Sequence, residues 1–241
     1  MTFPTLQRWT QTAADLLIPP LCAGCQCRLE SGWLCAKCTR LTRRVKPPFC
    51  QCCSHPFDGA IDTEFQCPNC QDRPMHFTCA VASRHAQGLV RNLIHDFKYN
   101  HREHLRRPLA GWLADTLDDS RMTATPIDAL IPVPLHATRQ RERGYNQARL
   151  LAEILAAEFH FPLLHTLKRV RRTQTQTSFD RAERMENLHD AFHVSQNTAV
   201  QNKHLVLVDD VLTTGSTLNE CARVLLASGA ASVRAICVAR G

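Results

Sequence analysis

The feature that most restricts the fold of this chain is the stretch HLVLVDDVLTTGSTLNECARVLLASGA, close to its C-terminal end. Four consecutive apolar residues lead directly into two adjacent acids, Asp209 and Asp210. A short hydroxylated loop follows, and then an amphipathic pattern that ends at Gly229. This order predicts a buried strand that delivers two carboxylates to the edge of a parallel sheet where ligands usually bind, with a helix directly behind the loop.

The loop itself, TTGST, has the composition of an anion cradle. Backbone amides at the start of a helix point toward a ligand, and the helix dipole favours negative charge there. Gly215 allows the backbone to approach the ligand closely. A ligand that carries vicinal hydroxyls beside a phosphate would satisfy both the acids and the loop. The structural alternative is that Thr213 or Thr214 caps the helix while both acids are solvated.

Apolar strands alternate with helical patterns from about residue 79 onward. Strands are predicted at CAVASR, DALIPVPL, AFHV, HLVLV and SVRAICVA, and helices at LVRNLIHDFKY, LRRPLAGWLADTL, YNQARLLAEILAAEF and STLNECARVLLASG. This alternation is typical of an α/β protein with a parallel sheet that helices cover on both faces. A chain of 241 residues has room for one such domain plus a smaller module.

Cysteines dominate the N-terminal part, where eleven of the 13 lie between Cys22 and Cys79. Paired Cys-x2-Cys turns give two sets of four thiols, namely Cys22, Cys25, Cys35 and Cys38, and then Cys50, Cys53, Cys67 and Cys70. Two such turns that face each other make a closed tetrahedral zinc site, and a segment this poor in apolar residues needs such a staple. We therefore predict two structural zinc ions. Iron–sulfur ligation is the alternative, although its usual spacings differ.

The formal charge of +7 and the pI near 8.9 favour anionic partners such as phosphates, nucleic acid or a membrane surface. No apolar run approaches the roughly 20 residues of a membrane helix, and the N-terminus lacks the features of a secretory signal. We expect a cytoplasmic protein. Residues 1–20 have helical spacing and are predicted to pack on the body. A peripheral anchor at the inner face of the membrane is the alternative.

The stretch VLVDDVLTTGST resembles the motif with which type I phosphoribosyltransferases bind 5-phosphoribosyl 1-pyrophosphate (PRPP). In that family the adjacent acids hold the ribose 2- and 3-hydroxyls, and the loop binds the 5-phosphate. The resemblance gives the first role to Asp209 and Asp210. It gives the second role to Thr213, Thr214, Gly215, Ser216 and Thr217. Magnesium is expected with PRPP, because the metal can bridge pyrophosphate and ribose oxygens.

Three further stretches, IHDFKYN, IPVPLHATRQRERGYNQARLLA and RTQTQTSFDRAERMENLHDAF, extend the resemblance to the ComF family. Members of that family carry an N-terminal cysteine module ahead of the same ordered motifs. The resemblance covers nearly the whole chain from about Cys22 onward. It implies a double zinc ribbon over residues 21–75 and a type I phosphoribosyltransferase fold over residues 76–241, after an N-terminal segment of residues 1–20.

Two more loops provide candidate ligand-binding residues. A loop after a parallel strand can hold pyrophosphate through amides and arginines, and its candidates here are Leu135, His136, Ala137, Arg139 and Arg143. In the broader enzyme fold a mobile loop closes over the substrate, and its candidates are Gln176, Arg181 and Arg184. Lys98 is a further candidate cation. For each of these residues the alternative is a charge or polar group that simply faces solvent.

The ComF resemblance implies a role in handling incoming DNA, and two hypotheses follow. In the first, the protein supports uptake of single-stranded DNA in natural transformation, together with other DNA-import proteins, and PRPP is its ligand. In the second, it is an active phosphoribosyltransferase that moves ribose 5-phosphate from PRPP to a nucleobase in salvage of imported DNA. The intact acids and loop favour PRPP binding. Turnover stays open, because no catalytic or base-recognition residue is identifiable, and the oligomeric state stays open too.

Direct contact with DNA is a separate question. Residues 139–184 contain ten Lys or Arg against five Asp or Glu, and this excess could contact single-stranded DNA. Aromatic side chains for base stacking are sparse in the same stretch. Phosphate ligands or solvent-facing charge are therefore equally open explanations.

Overall fold

The computed structural model describes residues 20–57, 59, 65–171, 190–195 and 200–241. Its strands are β1 (Ala80–His85), β2 (Ala129–Pro132), β3 (Leu167–Arg169), β4 (Phe192–Val194), β5 (His204–Leu212) and β6 (Ser232–Arg240). The main sheet has four parallel strands in the order β1-β6-β5-β2. The parallel sheet predicted from the alternating pattern is therefore confirmed.

Helices supply the crossovers that parallel strands require. They are α1 (Ala36–Arg40), α2 (Pro68–Gln71), α3 (Gly88–Tyr99), α4 (Arg106–Ala114), α5 (Ser120–Thr123), α6 (Ala137–Arg143), α7 (Gln147–Phe159) and α8 (Ser216–Ala227). A 3-10 turn, Glu103–Leu105, leads into α4. Within the described residues, no helix is both long and apolar enough to cross a membrane.

The core lies on both faces of the sheet, because successive strand side chains point in opposite directions. Leu205 and Leu207 of β5 pack on the same face as Leu218 and Leu225 of α8. Val206 and Val208 pack on the other face with α3, α4 and α7. The side chains of these four β5 residues are fully buried. A strand covered on both faces needs such a continuous apolar run, which is the pattern that predicted it.

Two strands differ from their predicted form. The apolar run predicted a strand that ends before the acids, but β5 continues through them to Leu212. Backbone pairing of Asp209 with Cys237 and of Val211 with Ala239 extends the ladder. The AFHV strand forms as β4, but it pairs antiparallel with β3 outside the main sheet. Only Phe192 of β4 is buried, so this strand has too little apolar surface for a central position.

The cysteine module, defined here as residues 20–57 and 65–75, packs along the outer edge of β1. The carbonyl of Cys52 accepts a hydrogen bond from the N–H of Ala80 at 2.7 Å, and the N–H of Val45 donates to the carbonyl of Ser83 at 3.0 Å. The Ser54 hydroxyl donates to the carbonyl of Ala80 at 2.8 Å. The module thereby covers an edge that would otherwise present unpaired backbone groups.

Candidate functional site

Asp209 and Asp210 lie near the C-terminal end of β5, and their side chains leave the sheet on opposite faces. Asp209 follows Leu207 onto the face that α8 covers, and Asp210 follows Val208 onto the face that α3 covers. The N–H of Asp210 donates to Oδ1 of Asp209 at 2.8 Å. Burial, and after it the negative charge of Asp210, raises the pKa of Asp209 to about 7. Asp209 therefore exchanges its proton near neutral pH.

Asp210 has a cationic partner in Lys98, which the sequence offered as a candidate cation. Lys98 lies in the last turn of α3, and its Nζ is 2.7 Å from Oδ1 of Asp210. Burial acts to lower the pKa of Lys98, but attraction by Asp210 and Asp209 outweighs it and raises that pKa. Lys98 is therefore charged, and it forms an ion pair with Asp210.

The loop of residues 213–217, here called the phosphate loop, turns from β5 into α8 through Gly215. Gly215 has a left-handed φ of 75°, which glycine adopts without strain. The hydroxyl oxygens of Thr214 and Ser216 lie 3.0 Å apart. Helix α8 begins at Ser216 with Gly215 as its N-cap and without a side-chain cap. The alternative in which Thr213 or Thr214 is the N-cap is therefore not what the structure shows.

The cysteine module supports the phosphate loop from behind. The guanidinium of Arg73 donates to the hydroxyl of Ser216 at 3.2 Å and to the carbonyl of Thr214. The side-chain amide of Asn69 donates to the same carbonyl at 3.1 Å. On the next turn of α8, the side-chain oxygen of Asn219 accepts from the N–H of His76 at 2.6 Å. These contacts were not predicted, because nothing in a cysteine-rich segment indicates a partner 141 positions away.

The loop after β2 contains the predicted pyrophosphate-binding residues Leu135, His136 and Ala137. Nδ1 of His136 accepts a hydrogen bond from the N–H of Thr138 at 3.3 Å, and His136 is thereby the N-cap of α6. Helix α6 ends at Gly144 in the left-handed conformation, with φ 79°. This loop therefore follows the C-terminal end of a strand that neighbours β5, as the phosphate loop follows β5 itself.

Arg143 and its neighbours bring this second loop against the end of α3. The guanidinium of Arg143 donates to the hydroxyl of Tyr99 at 3.2 Å and lies 4.9 Å from the centroid of its ring. It also donates to Oε1 of Gln147 at 3.0 Å. The hydroxyl of Tyr145 donates to the carbonyl of Phe97 at 2.6 Å. Arg143 thus contacts Tyr99, the residue that follows Lys98, and its positive charge acts to lower the pKa of Lys98.

Arg169 of β3 is a further cation, and its charge interacts with that of Asp209. Burial and the charge of Arg139 lower the pKa of Arg169, while Asp209 acts in the opposite direction. The guanidinium lies 5.3 Å from the ring centroid of Phe192 on β4. The excess of Lys and Arg over residues 139–184 was the only sequence signal for this residue, and it did not predict a strand. The candidates Gln176, Arg181 and Arg184 lie outside the described residues.

The eight paired cysteines form two compact clusters, as their spacing predicted. In each cluster the four sulfur atoms lie within 4.8 Å of one another. The Sγ atoms of Cys25 and Cys35 are 3.7 Å apart, and those of Cys53 and Cys67 are 3.6 Å apart. Four thiolates around a tetrahedral zinc ion at about 2.3 Å would have sulfurs about 3.8 Å apart. The geometry therefore fits such an ion, and none of the 13 cysteines forms a disulfide.

Hydrogen bonds to sulfur orient both clusters. The N–H of Cys35 donates to Sγ of Cys22, and the N–H of Cys67 donates to Sγ of Cys50, each at 3.3 Å. Such bonds favour thiolates, which are the metal-binding form of cysteine. The clusters differ in burial, because Cys25 of the first is exposed whereas every cysteine of the second is buried.

Comparisons with known proteins identify the class. The phosphoribosyl transferase domain family matches residues 146–241, which span α7, the phosphate loop and the last strand. With the parallel sheet described above, the chain has a type I phosphoribosyltransferase fold behind two four-cysteine clusters. Glutamine PRPP amidotransferase from B. subtilis, a solved structure, matches with TM-score 0.39 and 20% identity over 58% of this chain and 30% of its own.

Curated relatives identify the family. DNA utilization protein YhgH of Shigella flexneri is 34% identical over 230 residues, which are 93% of this chain and 99% of the relative. Competence protein F of Haemophilus influenzae is 34% identical over 222 residues, which are 86% of this chain and 96% of the relative. The chain belongs to the ComF family.

Proposed function

We propose that the protein binds PRPP with Mg²⁺ at the C-terminal end of β5 and uses this ligand while it supports uptake of single-stranded DNA. One observation carries the ligand assignment: two acids and a glycine-containing hydroxyl loop follow each other at the point where β5 leads into α8. Carboxylates accept hydrogen bonds from ribose hydroxyls, and loop amides and hydroxyls hold the 5-phosphate. Asp209 and Asp210 take the hydroxyls, and residues 213–217 take the phosphate.

The remaining charges fit the rest of the ligand. Pyrophosphate would lie against the backbone of Leu135, His136 and Ala137, with Arg139 and Arg143 as its cations. Oxygen ligands are those that Mg²⁺ prefers, and the acids with the ligand's own phosphates supply them. Gln176, Arg181 and Arg184 are assigned to the loop that closes over the ligand.

Zinc is the proposed occupant of both cysteine clusters. Four thiolates without an open position are typical of structural rather than catalytic zinc. The proposed boundaries are an N-terminal segment of residues 1–20, a double zinc ribbon of residues 21–75 and a phosphoribosyltransferase-like domain of residues 76–241. Each cluster would hold its own half of the ribbon together, because neither half has an apolar core of its own.

The physiological task is inferred from the relatives and from charge. One relative is called a DNA utilization protein and another a competence protein. The formal charge of +7 favours a polyanion, and Lys168 and Arg171, in and just after β3, are exposed. We place the protein in the cytoplasm, where imported strands arrive, with the inner face of the membrane and other DNA-import proteins as its proposed contacts.

Calorimetry of the metal-loaded protein with PRPP and magnesium tests the ligand assignment. The variant with both Asp209→Asn and Asp210→Asn keeps side-chain size and removes charge. It should lose affinity by about tenfold or more, as expected when charge-assisted hydrogen bonds are lost, and it should still fold. Unchanged affinity would show that the acids do not hold the ligand.

Gene deletion tests the task. Deleting the gene in its host should leave DNA capture outside the cell intact but reduce the number of transformants. Complementation with the double Asn variant should then show whether ligand binding matters to import, and complementation with the wild-type gene is the control. Normal transformation in the deletion strain would exclude the import role.

The intact acid and loop residues also favour a second function, which is transfer of ribose 5-phosphate from PRPP to a nucleobase. The assay is release of pyrophosphate from PRPP in the presence of each common base. Turnover that depends on a base and is lost in the double Asn variant, together with normal transformation in the deletion strain, would assign the protein to salvage.

A further inference from the structure

Two buried arginines connect the second cysteine cluster to the phosphate loop. Arg73 lies three positions after Cys70, and 9% of its surface is exposed. Its guanidinium donates to the carbonyl of Thr214 and to the hydroxyl of Ser216. Arg240, at the end of β6, donates to the carbonyl of Leu212 at 3.0 Å.

The same two arginines are anchored on the cluster side. Nη2 of Arg240 lies 3.9 Å from Sγ of Cys53, within hydrogen-bond distance of sulfur. Nε of Arg73 donates at 3.1 Å to the carbonyl of Asn69, which lies in α2 between the ligand candidates Cys67 and Cys70. Four thiolates around a divalent ion keep a net negative charge, and buried guanidinium groups need such a counter-charge. The cluster therefore stabilises both cations in place.

The contact with Thr214 determines which way the phosphate loop presents its donors. In a trans peptide the C=O and the following N–H point in opposite directions, and the Thr214–Gly215 bond is not among the cis bonds. Arg73 and Asn69 hold the Thr214 carbonyl on the side of the cysteine module. The N–H of Gly215 consequently points to the opposite side, away from the module.

The contact with Ser216 has a similar effect. Because the guanidinium can only donate, the Ser216 oxygen is the acceptor in its bond to Arg73. The hydroxyl proton of Ser216 is then left to donate, either to the Thr214 hydroxyl at 3.0 Å or to a bound phosphate. Arg73 also adds a positive charge behind the loop. All three effects favour a phosphate on the side of the loop that faces away from the cysteine module.

We propose that Arg73 is a positioning residue for the 5-phosphate, and that the second cysteine cluster, through Arg73 and Arg240, determines how tightly the phosphate loop binds its ligand. The inference rests on the proposed PRPP function, but it concerns a coupling that the first cluster does not share. Loss of metal from Cys50, Cys53, Cys67 and Cys70 should weaken ligand binding, whereas loss from Cys22, Cys25, Cys35 and Cys38 should not.

The first test changes Arg73 in the metal-loaded protein. Arg73→Gln removes the charge and most donors, and should weaken PRPP binding by about tenfold or more. Arg73→Lys keeps the charge and should recover part of the affinity. Both variants are assayed well below their melting temperatures. Under that condition a purely structural role of Arg73 would not produce a difference in affinity between them. Arg40→Gln, an exposed arginine beside the first cluster, is the matched control and should bind as wild type.

The second test compares the clusters with matched variants. Cys70→Ser and Cys38→Ser each remove one ligand candidate, and metal analysis should show the loss of one equivalent in each. Only Cys70→Ser should weaken PRPP binding. If Cys70→Ser does not fold, the Arg73 variants decide the question alone.

A measurement without ligand separates this inference from the proposed function. Amide hydrogen exchange over residues 211–219 should become faster in Arg73→Gln and Cys70→Ser, and should stay unchanged in Cys38→Ser and Arg40→Gln. If wild-type protein does not bind PRPP but exchange changes as described, the ligand assignment fails and the coupling stands. Wild-type exchange and wild-type affinity in Arg73→Gln would overturn the coupling.

Discussion

Nζ of Lys98 lies 2.7 Å from Oδ1 of Asp210, so one of the two adjacent acids of the candidate site is in direct contact with a cation. Asp210 shares its face of the sheet with the end of α3, where it forms an ion pair with Lys98. Asp209 lies on the other face, where burial and the charge of Asp210 raise its pKa to about 7.

Replacing Lys98 should shift the pH dependence of ligand binding. Lys98→Met keeps the length of the side chain and removes the positive charge that acts to lower the pKa of Asp209. Without that charge the pKa of Asp209 rises further, so less of the acid is ionised near neutral pH. We expect PRPP affinity near pH 7 to fall by about tenfold and to recover in part at about pH 8.5. Calorimetry across pH measures this, with exposed Lys37→Met as the charge-matched control. A pH profile parallel to that of wild type would contradict the role given to Lys98.

The raised pKa of Asp209 also makes a prediction about stability. Its folded-state pKa of about 7 exceeds the ordinary value of 3.8, so the folded protein favours the protonated acid, and ionisation costs stability progressively as pH rises from about 4 to about 7. Asp209→Asn carries no charge and avoids this cost. The melting temperature of this variant minus that of wild type should therefore increase as pH rises from about 5.5 to about 8. Each kcal/mol by which ionisation destabilises the wild type corresponds to roughly 2–4 °C in a protein of this size.

Thermal denaturation of metal-loaded protein at both pH values measures the effect. The lower value stays above the range in which thiolate ligands protonate and release metal. A variant that loses stability relative to wild type at the higher pH would show that Asp209 is stabilising in its ionised form.

The two clusters should differ in how fast they release metal. Cys25 is exposed, whereas every cysteine of the second cluster is buried. Elemental analysis should give about two zinc ions per chain, by the rule of four thiolates per ion. A chromogenic chelator should then remove them in two kinetic phases, and Cys25→Ser should abolish the fast one. Iron absorbance, or full folding after complete chelation, would exclude structural zinc.

Contact with single-stranded DNA should depend on the exposed cations around β3. Lys168→Gln combined with Arg171→Gln should weaken binding, and the slope of log affinity against log salt should decrease by about 1.4, at about 0.7 for each phosphate contact to a single strand. Arg28→Gln combined with Arg40→Gln removes the same charge from the cysteine module and serves as the control. Equal salt slopes in the two double variants would place DNA binding elsewhere.

Local sequence was enough to predict the elements on which the fold is built. The two clusters follow from Cys-x2-Cys spacing, because each tight turn brings its own pair of sulfurs together. The sheet class follows from the apolar run Leu205–Val208 and its alternation with helical patterns. The turn from β5 into α8 follows from Gly215 and its hydroxylated neighbours. In each case the signal lies within one turn or one element, where backbone geometry and burial act directly on neighbouring residues.

Tertiary packing decided what surrounds that local framework. Arg73 and Asn69 reach Thr214 only because the cysteine module packs against the start of α8. Lys98 reaches Asp210 only because α3 covers that face of β5. β4 was predicted as a strand, but its partner is β3 rather than the main sheet. Such contacts join residues far apart in the chain, and their geometry depends on how whole elements pack. The sequence therefore determined where the two acids and the hydroxylated loop lie along the chain, whereas the tertiary structure determined which cations lie beside them.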